Sequence, residues 1–174
     1  MLGGVTRVAV TVLPVLTVRL LGEPAPQGSK NIGANGQLYE SAARAVAAWR
    51  SAIVWQVRSA MRQQRHPGFY AGPVALDVVF FLVRGQTITR ELPHVKPDVD
   101  KLLRSTLDGL TMSGVVKDDA QITTVRCRKR YGSPPGAGLR LGSDTGGFWS
   151  PTEQDGDPFA GRGDVLGRNS KGAK

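Results

Sequence analysis

The apolar pattern of the chain predicts an α+β fold, a small mixed β-sheet flanked by helices in the order β–α–β–α–β. Three stretches carry that prediction: an alternating run at Val15–Leu21, a long segment of helical periodicity at Tyr39–Arg65, and the almost wholly apolar Val74–Val83. At 174 residues the chain suffices for one domain with a real core and falls short of two. The expected organisation is an N-terminal extension over 1–14, a folded domain over 15–142, and a disordered Gly/Pro-rich tail over 143–174.

Within the extension Val8, Val10 and Val12 alternate as in a strand, and Pro14 ends the run. Val15–Leu21 is closed by Gly22-Glu23-Pro24-Ala25-Pro26, which cannot continue a ladder. Gln27–Gly36 has no apolar pattern and reads as a loop. In Tyr39–Arg65, Ala42, Val46, Trp49, Ile53, Val57 and Ala60 recur at three- and four-residue steps, one buried helix face, with Ser41 as its N-cap. Arg58, Arg62 and Arg65 suit either the dipole at that helix's C-terminus or contact with phosphate. Pro67-Gly68 stops the helix. Val74–Val83 is apolar on both faces except at Asp77, as a central strand is. A polar loop over Gly85–Val95 leads to a short helix, Asp98–Leu110, with Val99, Leu102, Leu103, Thr106, Leu107 and Leu110 expected inward. Ile122–Tyr131 is a strand that projects Arg126, Arg128 and Arg130 from one side. Such a row repels itself unless solvent or a partner screens it, which makes it a candidate DNA-facing surface.

Charge narrows the function. The chain carries 23 Lys and Arg against 14 Asp and Glu, a net +9. Residues 1–142 hold 19 basic and 9 acidic side chains, so the excess sits on the part expected to fold. That balance favours a polyanionic partner, because neutralising phosphates releases counterions. A membrane span is excluded: the longest apolar run, Val8–Leu21, is broken by Pro14 and Arg19. No small-residue cleavage site follows it, and the expected location is the cytoplasm. Cys127 is the single cysteine, so an internal disulfide is excluded, and with His66 and His94 it makes no zinc set.

Five acidic residues of the basic part fall close together: Asp98, Asp100, Asp108, Asp118 and Asp119. Carboxylates repel a phosphate backbone unless a divalent cation lies between them. Hard cations such as Mg²⁺ take oxygen ligands and polarise the phosphate they bridge. Within a helix Asp98 and Asp100 point about 200° apart, whereas extended chain puts them on one side. Pro97 places the pair where extended backbone turns into the helix, with the positive end of the dipole beside it. The competing reading takes each residue singly: Asp98 as an N-cap, Asp100 and Asp108 paired with Arg104, Asp118-Asp119 as a solvated turn.

The stretch Lys96-Pro97-Asp98-Val99-Asp100-Lys101-Leu102-Leu103-Arg104, then Leu107-Asp108-Gly109-Leu110, then Asp118-Asp119-Ala120-Gln121-Ile122, resembles the core signature of the RusA family of Holliday-junction resolvases. Gly22-Glu23-Pro24-Ala25-Pro26-Gln27-Gly28-Ser29-Lys30 is similar to that family's glycine-proline segment, and the likeness runs from Thr17 to Arg130. The resemblance implies a RusA-like endonuclease domain that dimerises about a two-fold axis. The implied activity is Mg²⁺-dependent resolution of four-way junctions in recombination and repair, with Mn²⁺ as a substitute cation. It implies Asp98, Asp100 and Asp119 as metal ligands with Asp118 beside them. Arg104 stands where the family has a functional lysine, and Lys101 where it often has asparagine. Arginine keeps the charge but cannot readily give up its proton. Lys30, Lys101, Arg126, Arg128 and Lys129 are the expected phosphate contacts. Two alternatives stay open: a metal nuclease acting on flaps or forks, and a non-catalytic basic DNA-binding dimer.

Overall fold

The computed structural model describes residues 12–28, 30–32, 38–40 and 42–146. Strand β1 (Leu16–Leu21) is followed by a small hairpin, β2 (Lys30–Ile32) and β3 (Leu38–Glu40), and by helix α1 (Ala43–Gln63). Then come β4 (Val74–Leu82), α2 (Val99–Ser113), a 3-10 turn at Asp119–Gln121, β5 (Ile122–Tyr131) and β6 (Gly136–Ser143). The main sheet has the order β1-β6-β4-β5, with β4 and β5 parallel and the other neighbours antiparallel. The expected α+β class with a mixed sheet is what the chain adopts. Parallel β4 and β5 need a crossover connection, and α2 is that crossover.

The sheet has two unlike faces. Leu16, Val18 and Leu20 of β1, Leu139 and Leu141 of β6, and Leu76, Val78 and Phe80 of β4 meet Trp49, Ile53 and Val57 of α1 and Leu102 and Leu110 of α2 in one core. A side chain at Gly109 would bring its Cβ within 2.8 Å of Ile53 Cδ1, so the two helices touch there only because α2 has glycine. The Trp49 indole N–H, buried in the same contact, donates to Thr106 Oγ1 at 3.2 Å. The alternate residues of β4 face the other way and include Asp77, which is fully buried. No described helix is long and apolar enough to cross a membrane.

Several expectations change. Tyr39 begins no helix: it lies in β3, paired with β2 inside what reads as a loop, and α1 starts at Ala43. Ala42 holds the N-cap position without a side-chain cap hydrogen bond, and Ser41 lies outside the described residues. Helix α2 runs to Ser113, ended by Gly114 at φ 80. Strand β6 was not expected, because glycines and the preceding Pro134-Pro135 depress strand propensity. Its Gly136 lies so close to β1 that a Cβ there would stand 2.0 Å from Leu20 O. The domain also reaches beyond 15–142 at both ends. Leu13 N donates to Ser143 Oγ at 3.1 Å, and the Tyr70 hydroxyl lies 2.7 Å from Pro14 O and 2.9 Å from Leu141 O. Burial pushes that phenol up to about 12, so it stays a neutral donor. Asp144 accepts from Thr123 and Thr124, bonds that hold its carboxyl below the usual range. Val8 and Val10 and residues 147–174 lie outside the described residues.

Candidate active site

Asp98 is the N-cap residue of α2, with the extended backbone typical of that position, φ −70 and ψ 139. Its carboxylate makes no cap hydrogen bond, so capping does not account for it. It lies 3.3 Å from Lys101 Nζ on the first turn. Asp100 is exposed on that turn, and Arg104, also exposed, stands four residues on, on the same face of the helix. The orphan N–H groups and the dipole of α2 add positive potential at this end. The two carboxylates are hard oxygen donors of the class a divalent cation takes, while the positive terminus favours their ionised form and an approaching phosphate.

The surroundings hold this end in place. Lys129 Nζ, reaching from β5, donates to Val95 O at 2.9 Å and to Pro97 O at 2.8 Å, the carbonyls just ahead of Asp98. The glycine-proline segment straps the helix: Gln27 N donates to Lys101 O at 3.0 Å and Ser105 Oγ to Ala25 O at 2.5 Å. Arg50 joins strap and helix, donating to Gln27 Oε1 at 2.6 Å and pairing with Asp108. Asp108 therefore belongs to the scaffold, with Arg50 and not Arg104 as its partner.

A second acidic pair stands at the start of β5. Asp118 caps the 3-10 turn, its Oδ1 accepting from Ala120 N at 2.8 Å, while Gln121 Oε1 accepts from Asp118 N at 3.2 Å. Gln121 Nε2 donates to Tyr70 O at 2.8 Å and Gly72 O at 3.0 Å, which fastens the turn to the chain ahead of β4. Sequence reasoning quoted Gln121 without giving it a role; the signal was there, since acidic-x-x-Gln is the spacing of a capping box. Asp119 is exposed, and its carboxylate is not part of the cap.

The two acidic pairs lie apart. Helix α2 has 15 residues, and at 1.5 Å per residue its ends are about 22 Å apart. Asp98 precedes its first turn and Asp119 follows its last. Strand β5 repeats the measurement: Lys129, which touches Pro97, is seven residues beyond Ile122, about 23 Å of extended chain. Among the described residues no group of three His, Cys, Asp or Glu side chains could hold a metal ion. The expected convergence of Asp98, Asp100 and Asp119 does not occur within one chain.

The basic residues also separate. Arg126 donates to Asp77 Oδ2 at 2.7 Å, and Arg128 lies 2.9 Å and 3.0 Å from Oδ1 and Oδ2. The buried carboxylate is what allows neighbouring arginines on one sheet face. Arg58 donates to Ser113 O at 3.0 Å and Met112 O at 3.3 Å, satisfying carbonyls at the C-terminus of α2 instead of α1. Lys30 is in β2, and its side chain lies outside the described residues. Burial pushes the Cys127 thiol up to about 12, so no thiolate nucleophile stands in this sheet.

Comparison with protein families adds one match: the model described as endodeoxyribonuclease RusA covers residues 22–141, from the start of the strap to β6. No curated protein matches the chain.

Proposed function

Because the chain belongs to the RusA family of endodeoxyribonucleases, we propose that it resolves four-way DNA junctions in recombination and repair as a magnesium-dependent two-fold dimer. Each cleavage site would take Asp98 and Asp100 from one copy and Asp119 from the other. The observation that carries this reading is the separation of the two acidic pairs at opposite ends of α2. A two-fold axis across antiparallel copies of that helix brings unlike ends together twice, and a four-way junction offers two equivalent strands.

A bound magnesium ion supplies Lewis-acid polarisation of the scissile phosphate and activation of the attacking water. Asp98 and Asp100 would hold it from one copy; Asp98 is not spent on a cap hydrogen bond and has the Lys101 ammonium beside it. Arg104 shares the exposed face of Asp100 and presents a planar guanidinium that would offset charge gathering on the phosphate. Lys101 remains beside Asp98 as a phosphate contact. Manganese is expected to replace magnesium, both being hard, oxygen-seeking cations.

Lys129 acts through the backbone: its ammonium fixes the carbonyls that lead into Asp98. Lys129→Met is expected to slow single-turnover cleavage about 100-fold, since small misplacements carry costs of that order. Junction affinity should stay within about twofold, as for the loss of a single rim charge at most. A variant that lost affinity and kept its rate would make Lys129 a phosphate contact instead.

The function is tested by cleavage of a synthetic four-way junction, a flap and a linear duplex, with Mg²⁺ and with EDTA. Paired, Mg²⁺-dependent incisions confined to the junction are expected. Equal cutting of plain duplex, or cutting that persists in EDTA, would refute the reading, and preference for the flap would move it to that substrate.

A further inference from the structure

The connection between β4 and α2, residues 83–97, carries three basic side chains, Arg84, Arg90 and Lys96, against the single carboxylate of Glu91. Two of the three converge on Tyr131, the last residue of β5. Arg90 Nε donates to the Tyr131 hydroxyl at 2.8 Å, and the Arg84 guanidinium lies 4.7 Å from the centre of the Tyr131 ring. Arg84 Nη2 also donates to Glu91 O at 3.2 Å, the main-chain carbonyl and not the carboxylate. One phenol thus orders two guanidinia. All these partners are neutral, and among the described residues neither arginine pairs with a carboxylate. Arg84 is exposed and Arg90 half-buried, so the pair is within reach of a ligand from solvent.

The pair stands close to Asp98. Tyr131 and Lys129 project from the same side of β5, about 7 Å apart along the strand. Lys129 holds the carbonyls of Val95 and Pro97, and Asp98 follows directly. The parallel strands β4 and β5 both finish at this end, the end of a parallel pair at which crossover loops gather ligands. Two like charges brought to one neutral side chain repel each other, and an anion shared between them removes that cost.

On the reading that branched DNA is the substrate, we propose that Arg84 and Arg90, ordered by Tyr131, form a subsite for one backbone phosphate of the strand being cut, within a few nucleotides of the scissile bond. Guanidinia already held by a ring and a hydrogen bond lose little freedom on meeting phosphate. The Tyr131 hydroxyl occupies Arg90 Nε, which leaves the two terminal nitrogens for the anion. Such a contact fixes the register of the strand over Asp98 and Asp100 and reads no base.

The test is binding, by fluorescence anisotropy in EDTA, to four-way junctions that each carry one neutral methylphosphonate, placed in turn at the positions around the incision mapped with Mg²⁺. Wild-type protein should lose affinity about tenfold at one position near the cut, the scale of a charge-assisted hydrogen bond. Arg84→Gln/Arg90→Gln should bind the unmodified junction about tenfold more weakly and lose nothing further at that position. Its plot of log binding constant against log salt should be shallower by about 0.9, one phosphate contact. Tyr131→Phe keeps the ring and both charges, so the wild-type slope should remain while affinity falls about threefold through lost ordering. Should the glutamine pair fail to fold, the exposed Arg84→Gln alone takes its place, and the methylphosphonate penalty should shrink to about threefold. A glutamine variant with wild-type affinity and slope overturns the proposal. So does one that binds weakly yet keeps the full wild-type penalty at every position, since the arginines then act elsewhere. If the wild type binds no junction at all, the proposed function fails along with this subsite; junction binding without a sensitive position near the cut sinks the subsite alone.

Discussion

Asp98→Asn protein and Asp119→Asn protein, each inactive by itself, should regain strand cleavage when mixed. Either substitution keeps the side-chain shape and removes one anionic ligand, and each is expected to lower the cleavage rate about 1000-fold. In a mixed dimer with composite sites, both substitutions fall in one site and the other is intact. Random exchange makes about half the dimers mixed, each with one working site of two, so about a quarter of wild-type nicking should return. The product should be a nicked junction, because paired incision needs both sites. Sites built within single chains predict no recovery, since every chain in the mixture would then be defective. Denaturing gels of a junction labelled on one strand at a time would separate the two outcomes, and junction binding by both variants would show that they still fold.

Asp77→Ala should have the largest effect on stability. The carboxylate is fully buried in the middle of the central strand, and two guanidinia close on it. Breaking a buried ion pair from one side typically costs several kcal/mol, because the remaining charge is left in a poor environment. Here Arg126 and Arg128 are 23% and 21% exposed, so they can turn partly to water, and the expected loss is nearer about 3 kcal/mol. A urea titration would read it as a lower midpoint at unchanged slope. A loss below about 1 kcal/mol would mean that the cluster is a solvated feature and not a structural one.

What could be read from the chain depended on how far each feature reached. Periodicity located α1 and α2, and continuous apolarity located β4, since those signals are written in neighbouring residues. The short pair β2 and β3 carries too few residues for a period, and β6 hides behind glycines whose reason is the backbone of β1 passing against Gly136. The acidic residues were legible as a group because they are near in sequence. Their separation was not, because it follows from the length of α2 lying between them. Asp77 was visible as an interruption in an apolar run; its arginine partners are 49 and 51 positions away, and only the parallel register joins them. Lys129 read as a phosphate contact because charge is local, whereas its role at Val95 and Pro97 depends on the crossover.

The placement of β6 has a consequence for how the molecule is made. Leu16 pairs with Leu141, and β6 separates β1 from β4. Among the described strands of this sheet, β1, the earliest made, therefore waits for β6, the latest, before it has a neighbour. Long-range pairing of this kind slows folding and exposes unpaired edges in the meantime. Chains released before β6 is complete should aggregate, and synthesis itself becomes the step at which the enzyme is either finished or lost.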